Sequence, residues 1–159
     1  MNLNLRCNIH LKSPLIMRTH NFLLLCLLML LCACSKSIAD DEFTTNLNKW
    51  NSKQMNNYDF TMGIDCYCPS ERVGPHLVGV KNNVLTTINN LPYDEAKQGK
   101  IMTINELFEY IKTSDAKKPF KKEVLYDSTN GYPKYVYYDF VENISDEEVG
   151  YYIINLQKK

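Results

Sequence analysis

The sequence predicts an α+β fold in which two amphipathic helices pack on an antiparallel sheet, in the order α-β-β-β-α-β-β-β. Three observations lead there. The stretch "YDFTMGIDC" alternates apolar and polar residues, the period of a half-buried strand. Two other stretches repeat apolar residues at helical spacing. The remaining apolar runs are joined by short segments rich in turn residues, which favour hairpins and antiparallel pairing.

The first helix lies in "DEFTTNLNKWNSKQM", where Phe43, Leu47 and Trp50 fall on one face and Asp41 and Glu42 sit at the positive end of the helix dipole. The alternating strand follows, with Tyr58, Phe60, Met62, Ile64 and Cys66 on its apolar side. "HLVGVKNNVLTTI" reads as two strands around Asn82-Asn83, because asparagine tolerates the positive φ of a tight hairpin. Residues 89–100, with Pro92 and Gly99, read as a surface loop. The second helix starts at "TINE": Thr103 can cap it while Glu106 reaches back, and Ile104, Leu107, Phe108 and Ile111 form its buried stripe. Three strands complete the order, near residues 123–126, 132–140 and 149–156, separated by "DSTNG" and the acidic loop "VENISDEE".

The N-terminal segment has a different character. The apolar run 22–33 is too short to cross a bilayer, which takes roughly 20 residues. It has the length of a signal-peptide core and follows Arg18 and His20. Leu31-Cys32-Ala33-Cys34 then resembles the bacterial lipobox, whose last cysteine takes a diacylglyceryl thioether before cleavage in front of it. The expected organisation is a signal peptide over 1–33, with Met17 as an alternative start, a lipidated N-terminus and tether over 34–41, and one domain over 42–159. Lipidation at Cys34 makes the membrane the first partner. It holds the domain outside the cytoplasm, on the cell membrane or outer membrane. Removing Arg6, Lys12 and Arg18 from 18 basic residues leaves 15 against 18 acidic, a net charge of −3. No basic patch suited to nucleic acid remains.

Of six cysteines, only Cys66 and Cys68 would survive in the mature chain as free partners. Outside the cytoplasm a disulfide between them is the expected state. The geometry of a flat strand resists it, since side chains two residues apart stand too far from each other, but Pro69 ends regular pairing and permits a bend. Two buried thiols, a redox-exchanging pair, or a copper or zinc site completed by His76 stand as alternatives. The tyrosines of the last two strands read first as cross-strand aromatic pairs. They also offer a binding surface, with Tyr135, Tyr137 and Tyr151 as its candidates and an envelope protein or glycan as its partner. Asp139, Glu142, Asp146, Glu147 and Glu148 lack EF-hand spacing. No catalytic constellation stands out. The expected function is a binding or accessory module of the bacterial envelope, not an enzyme and without cofactor, and the alternative is a small redox or metal-handling protein.

Several short motifs occur together: Tyr58 and Phe60, "CYCP" at 66–69, "TINELF" at 103–108, Tyr126-Asp127, "GYP" at 131–133, Asp139, and "DEE" at 146–148. In this order they resemble the bacterial secreted and lipid-anchored proteins grouped as domain of unknown function 6174. The resemblance covers most of the mature chain from Trp50 to Leu156. It implies a fold and a location and carries no reaction.

Overall fold

A computed structural model describes the backbone of residues 38–144 and 146–159, and the side chains of residues 42–144 and 146–159. The elements are α1 (Ile38–Ser52), β1 (Tyr58–Cys66), α2 (Ser70–Val73), β2 (His76–Lys81), β3 (Val84–Ile88), β4 (Leu91–Pro92), α3 (Glu95–Gln98), α4 (Ile104–Ala116), β5 (Lys121–Tyr126), β6 (Pro133–Asp139) and β7 (Val149–Lys158). The seven strands form one sheet in the order β4-β3-β2-β1-β7-β6-β5, every neighbouring pair antiparallel.

This overturns the expected α-β-β-β-α-β-β-β arrangement of two helices on a sheet. The described residues are mostly antiparallel sheet, with four helices rather than two and a strand and two helices in places read as loop. The additions are too short to leave a periodic signal. Helices α2 and α3 have four residues each, and β4 has two. Each is held by local chemistry instead: Asp94 caps α3 by accepting from the Ala96 N–H, and Pro92 sits opposite Thr87 in β3. Helix α1 also begins at Ile38, inside the segment read as tether.

The start of α4 follows from its capping residues. The Thr103 hydroxyl accepts from the Glu106 N–H at 3.2 Å, and Glu106 accepts from the Thr103 N–H at 2.8 Å. One further N-terminal donor, the Ile104 N–H, reaches the Tyr58 hydroxyl at 3.2 Å. The face Ile104, Leu107, Phe108 and Ile111 is buried against Tyr58, Phe60 and Met62 of β1, Val136 and Tyr138 of β6, and Ile153 of β7. Helix α1 runs antiparallel to α4. Phe43, near its start, meets Phe108 edge-on at 5.8 Å, while the Trp50 indole, near its end, donates to Asn105 Oδ1 at 2.7 Å. At the other end of α4, Asp115 accepts from the Tyr138 hydroxyl and from Lys122, both at 2.8 Å, tying the helix to β6 and β5.

The core lies on that side of the sheet alone. Alternate residues point the other way, and Leu77, Leu125 and Ile154 there are exposed.

Phe108→Ala empties part of the stripe and should lower stability by about 3–5 kcal/mol in chemical denaturation, whereas Lys112→Ala on the exposed side of α4 should change it little. Alkali should act on the same core. Burial is the chief cause that pushes the Tyr58 phenol up from 10.0 to about 12, and it raises Tyr126 and Tyr138 further in the same direction. Between these values the unfolded chain sheds protons that the folded chain keeps, so stability should fall as pH rises above 10.0. Circular dichroism should be lost together with the last part of the tyrosinate absorbance rise, the part that belongs to the buried phenols.

Candidate functional site

The uncovered sheet face carries the tyrosines. In the central register, Tyr135 of β6 stands opposite Tyr152 of β7 on one side and Leu125 of β5 on the other. Tyr152 in turn stands opposite Gly63 of β1. A Cβ at Gly63 would collide with the Tyr152 ring, so the phenol lies across bare backbone of the central strand. Glycine is required there for that close approach. Tyr137 faces Gly150 and Glu123, and the Lys121 ammonium sits 5.4 Å from its ring centroid. Asp65 and Glu123 border the rings, and partial desolvation followed by those two charges raises the Tyr135 phenol. The result is a platform of neighbouring phenol rings edged by carboxylates, a chemistry able to stack against planar or puckered rings and to accept hydrogen bonds.

Of the three tyrosines read as a binding surface, Tyr135 and Tyr137 share this face and Tyr151 does not. Tyr151 pairs with Ile64 and Val136 on the helix side, meets Tyr110 edge-on at 5.3 Å, and has its phenol pushed up to about 12 by burial. Tyr152 takes its place. The sequence offered no signal for this choice, because Ile153 and Ile154 are the same residue; burial of Ile153, with Ile154 left exposed, sends Tyr151 inward and Tyr152 outward.

At the end of β1 the chain leaves the sheet in a tight bend, where the Cys68 N–H donates to the Cys66 carbonyl at 2.9 Å. The bend brings the two Cα atoms to 5.3 Å, and a disulfide joins Cys66 to Cys68. The flat-strand objection therefore does not apply, because Cys68 lies past the strand. Tyr67, between the two, points into solvent. A cleft of about 230 Å³ beside the disulfide is lined by Cys66, Cys68, Arg72, Gln98, Lys100 and Tyr151. A second, of about 340 Å³, lies across Arg72 and reaches His76 and Asn89. The Arg72 side chain rests over Gly99, with Nε 3.4 Å from where a Cβ would be. Sequence reasoning missed this role of Arg72, since only the fold of residues 89–100 brings Gly99 beneath it.

His76 is buried and its Nε2 donates to the Arg72 carbonyl at 3.0 Å. The ring thereby serves the backbone of α2. Among the described residues no three His, Cys, Asp or Glu side chains converge to hold a metal. In the acidic loop, carboxylates are engaged locally: Glu147 accepts from the Val141 N–H and Glu148 from the Asp146 N–H. No helix among the described residues is long and apolar enough to cross a membrane. The expected signal peptide over 1–33 and the expected lipidation site Cys34 lie outside the described residues.

The profile of a family described as "Family of unknown function (DUF6174)" matches residues 42–158. The chain belongs to that family. The match begins inside α1 and ends within β7, so the DUF6174 unit coincides with the sheet and the helices packed on it. No curated protein and no solved structure matches the chain significantly.

The disulfide closes a very small ring, so it removes little entropy from the unfolded chain. Purified protein should carry no titratable thiol at Cys66 or Cys68. The double variant Cys66→Ser/Cys68→Ser should still fold, losing less than about 2 kcal/mol in chemical denaturation.

Proposed function

We propose that this DUF6174 protein is a lipoprotein of the bacterial envelope, anchored through Cys34, whose domain outside the cytoplasm binds a partner rather than catalysing a reaction. The observation that carries the reading is the tyrosine platform on the uncovered sheet face, with Tyr152 laid across Gly63 beside Tyr135. The partner class that fits best is an envelope glycan. Sugar rings present apolar C–H faces that stack on phenols, and their hydroxyls can donate to the Asp65 and Glu123 carboxylates that border the rings. The lipobox-like "LCAC" at 31–34 supports the anchor, and the small ring of Cys66–Cys68 suits an oxidising compartment.

A second reading draws on a different observation. The disulfide borders solvent clefts on two sides, which leaves it open to attack by a thiolate. In a redox protein this pair would exchange rapidly with glutathione. In a binding module it would exchange slowly.

Metabolic labelling with a palmitate analogue should mark the wild type and not Cys34→Ala. Cosedimentation with insoluble cell-wall polysaccharide should be retained by the lipidated chain and weakened on the order of tenfold by Tyr135→Ala/Tyr152→Ala, at unchanged circular dichroism. Equal cosedimentation of both proteins would remove the platform as the binding site. Specific crosslinking from Tyr152 to an envelope protein instead would reassign the partner class.

A further inference from the structure

Four strands end side by side at the disulfide end of the sheet: β1 at Cys66, β7 at Val149, β6 at Asp139 and β5 at Lys121. The segments that leave them carry large apolar side chains into solvent. Tyr67 is 85% exposed, Phe120 55%, Ile144 53% and Val141 45%. They follow the row of strand ends, which spans three inter-strand spacings or roughly 14 Å. None is used by the core, and none lies on the tyrosine platform.

The same end receives the chain from its N-terminus. Glu42 and Phe43, in the first turns of α1, line a small cleft with Asp115 in the last turn of α4 and with Lys122, Val124 and Tyr126 along β5. Trp50, at the other end of α1, lies against Tyr58 and Tyr132 at the opposite end of the sheet. Cys34 precedes Ile38 by only four residues, and four extended residues reach roughly 14 Å. A lipid on Cys34 would thus hold this end, and not the other, against the bilayer.

We propose that the end of the domain bearing Tyr67, Phe120, Val141 and Ile144 lies on the lipid surface, with these side chains entering the headgroup region. The proposal rests on the lipid anchor at Cys34. A single acyl attachment point lets a domain swing freely, and apolar side chains beside it supply the further contacts that fix orientation. Phe120 stands within "KKPFKK", so Lys118 flanks it with a cation suited to lipid phosphates, while Lys121 lies over Tyr137. The charge at this end is mixed. Lys122 is paired with Asp115 at 2.8 Å, Lys117 lies over Phe140 at 5.4 Å, and Glu142, Asp146 and Glu147 occupy the neighbouring loop. The contact is therefore chiefly apolar, and it differs in kind from a polybasic patch that salt would release. In this orientation the sheet stands away from the membrane on its end, and the tyrosine platform faces sideways into the space beside the bilayer.

The test uses the full lipidated chain in vesicles of phosphatidylethanolamine and phosphatidylglycerol whose acyl chains are brominated near the headgroup. Phe120→Trp places an indole at the proposed contact, and Val84→Trp places one at an exposed position by the opposite end of the sheet, with the buried Trp50 as a constant background. Emission from Phe120→Trp should fall roughly twofold against unbrominated vesicles, and Val84→Trp should match the wild type. The quenching should persist in high salt. Equal quenching of the two variants, or none at Phe120→Trp in a chain that floats with vesicles and carries the lipid mass, overturns the orientation while leaving the anchor in place. A chain without lipid on Cys34 overturns the anchor and the orientation together.

Discussion

The Tyr58 side chain stands where three elements meet, and the arrangement of the domain depends on it. It begins the central strand β1, is fully buried, and its ring meets the Trp50 indole of α1 edge-on at 5.5 Å. Its hydroxyl accepts from the Ile104 N–H, a first-turn donor of α4 that has no partner within the helix. One side chain thus sets the height at which α4 starts, and that helix in turn places Asn105 under Trp50 and so fixes α1. Loss of the hydroxyl would strand a buried donor, a cost on the order of 1–3 kcal/mol before any change in packing. With both long helices locked to one side of β1, seven strands have only half their surface covered. The tyrosine platform exists because of that imbalance.

How much of this could be read from residues depended on how local the determinants were. The start of α4 was legible because its capping groups sit three residues apart in "TINE". The β2–β3 hairpin was legible because Asn82 and Asn83 advertise positive φ, and they adopt 51° and 61°. The β4 strand and the helices α2 and α3 were not, since four residues or fewer show no period. The end of β7 also ran longer than its pattern. Asn155, at φ 56°, bulges the strand between Ile154 and Gln157, and the bulge breaks the alternation that sequence periodicity tracks.

The candidate site divides along the same line. Tyr135 and Tyr137 were readable from alternation, while the choice between Tyr151 and Tyr152 turned on which neighbour the core claims. Tyr152 could not have been tied to Gly63 at all, because the whole chain between them must fold before the two meet across β7 and β1. The sulfur pair gave the opposite lesson. A strand rule argued against joining Cys66 to Cys68, and a bend one residue past the strand end set the rule aside.

The two borders of the sheet have a consequence of their own. On one side it ends in β4, two residues long, where Pro92 has no N–H to offer. On the other it ends in β5, which opens with Lys121, Lys122 and Glu123. Neither border is a long uncharged ladder on which another copy could template its own backbone. A lipid anchor would confine many copies to two dimensions at high local density, the condition in which open borders zip into continuous ribbons. This sheet is closed to that growth, so its tyrosine face can stay bare without the molecule polymerising along its rims.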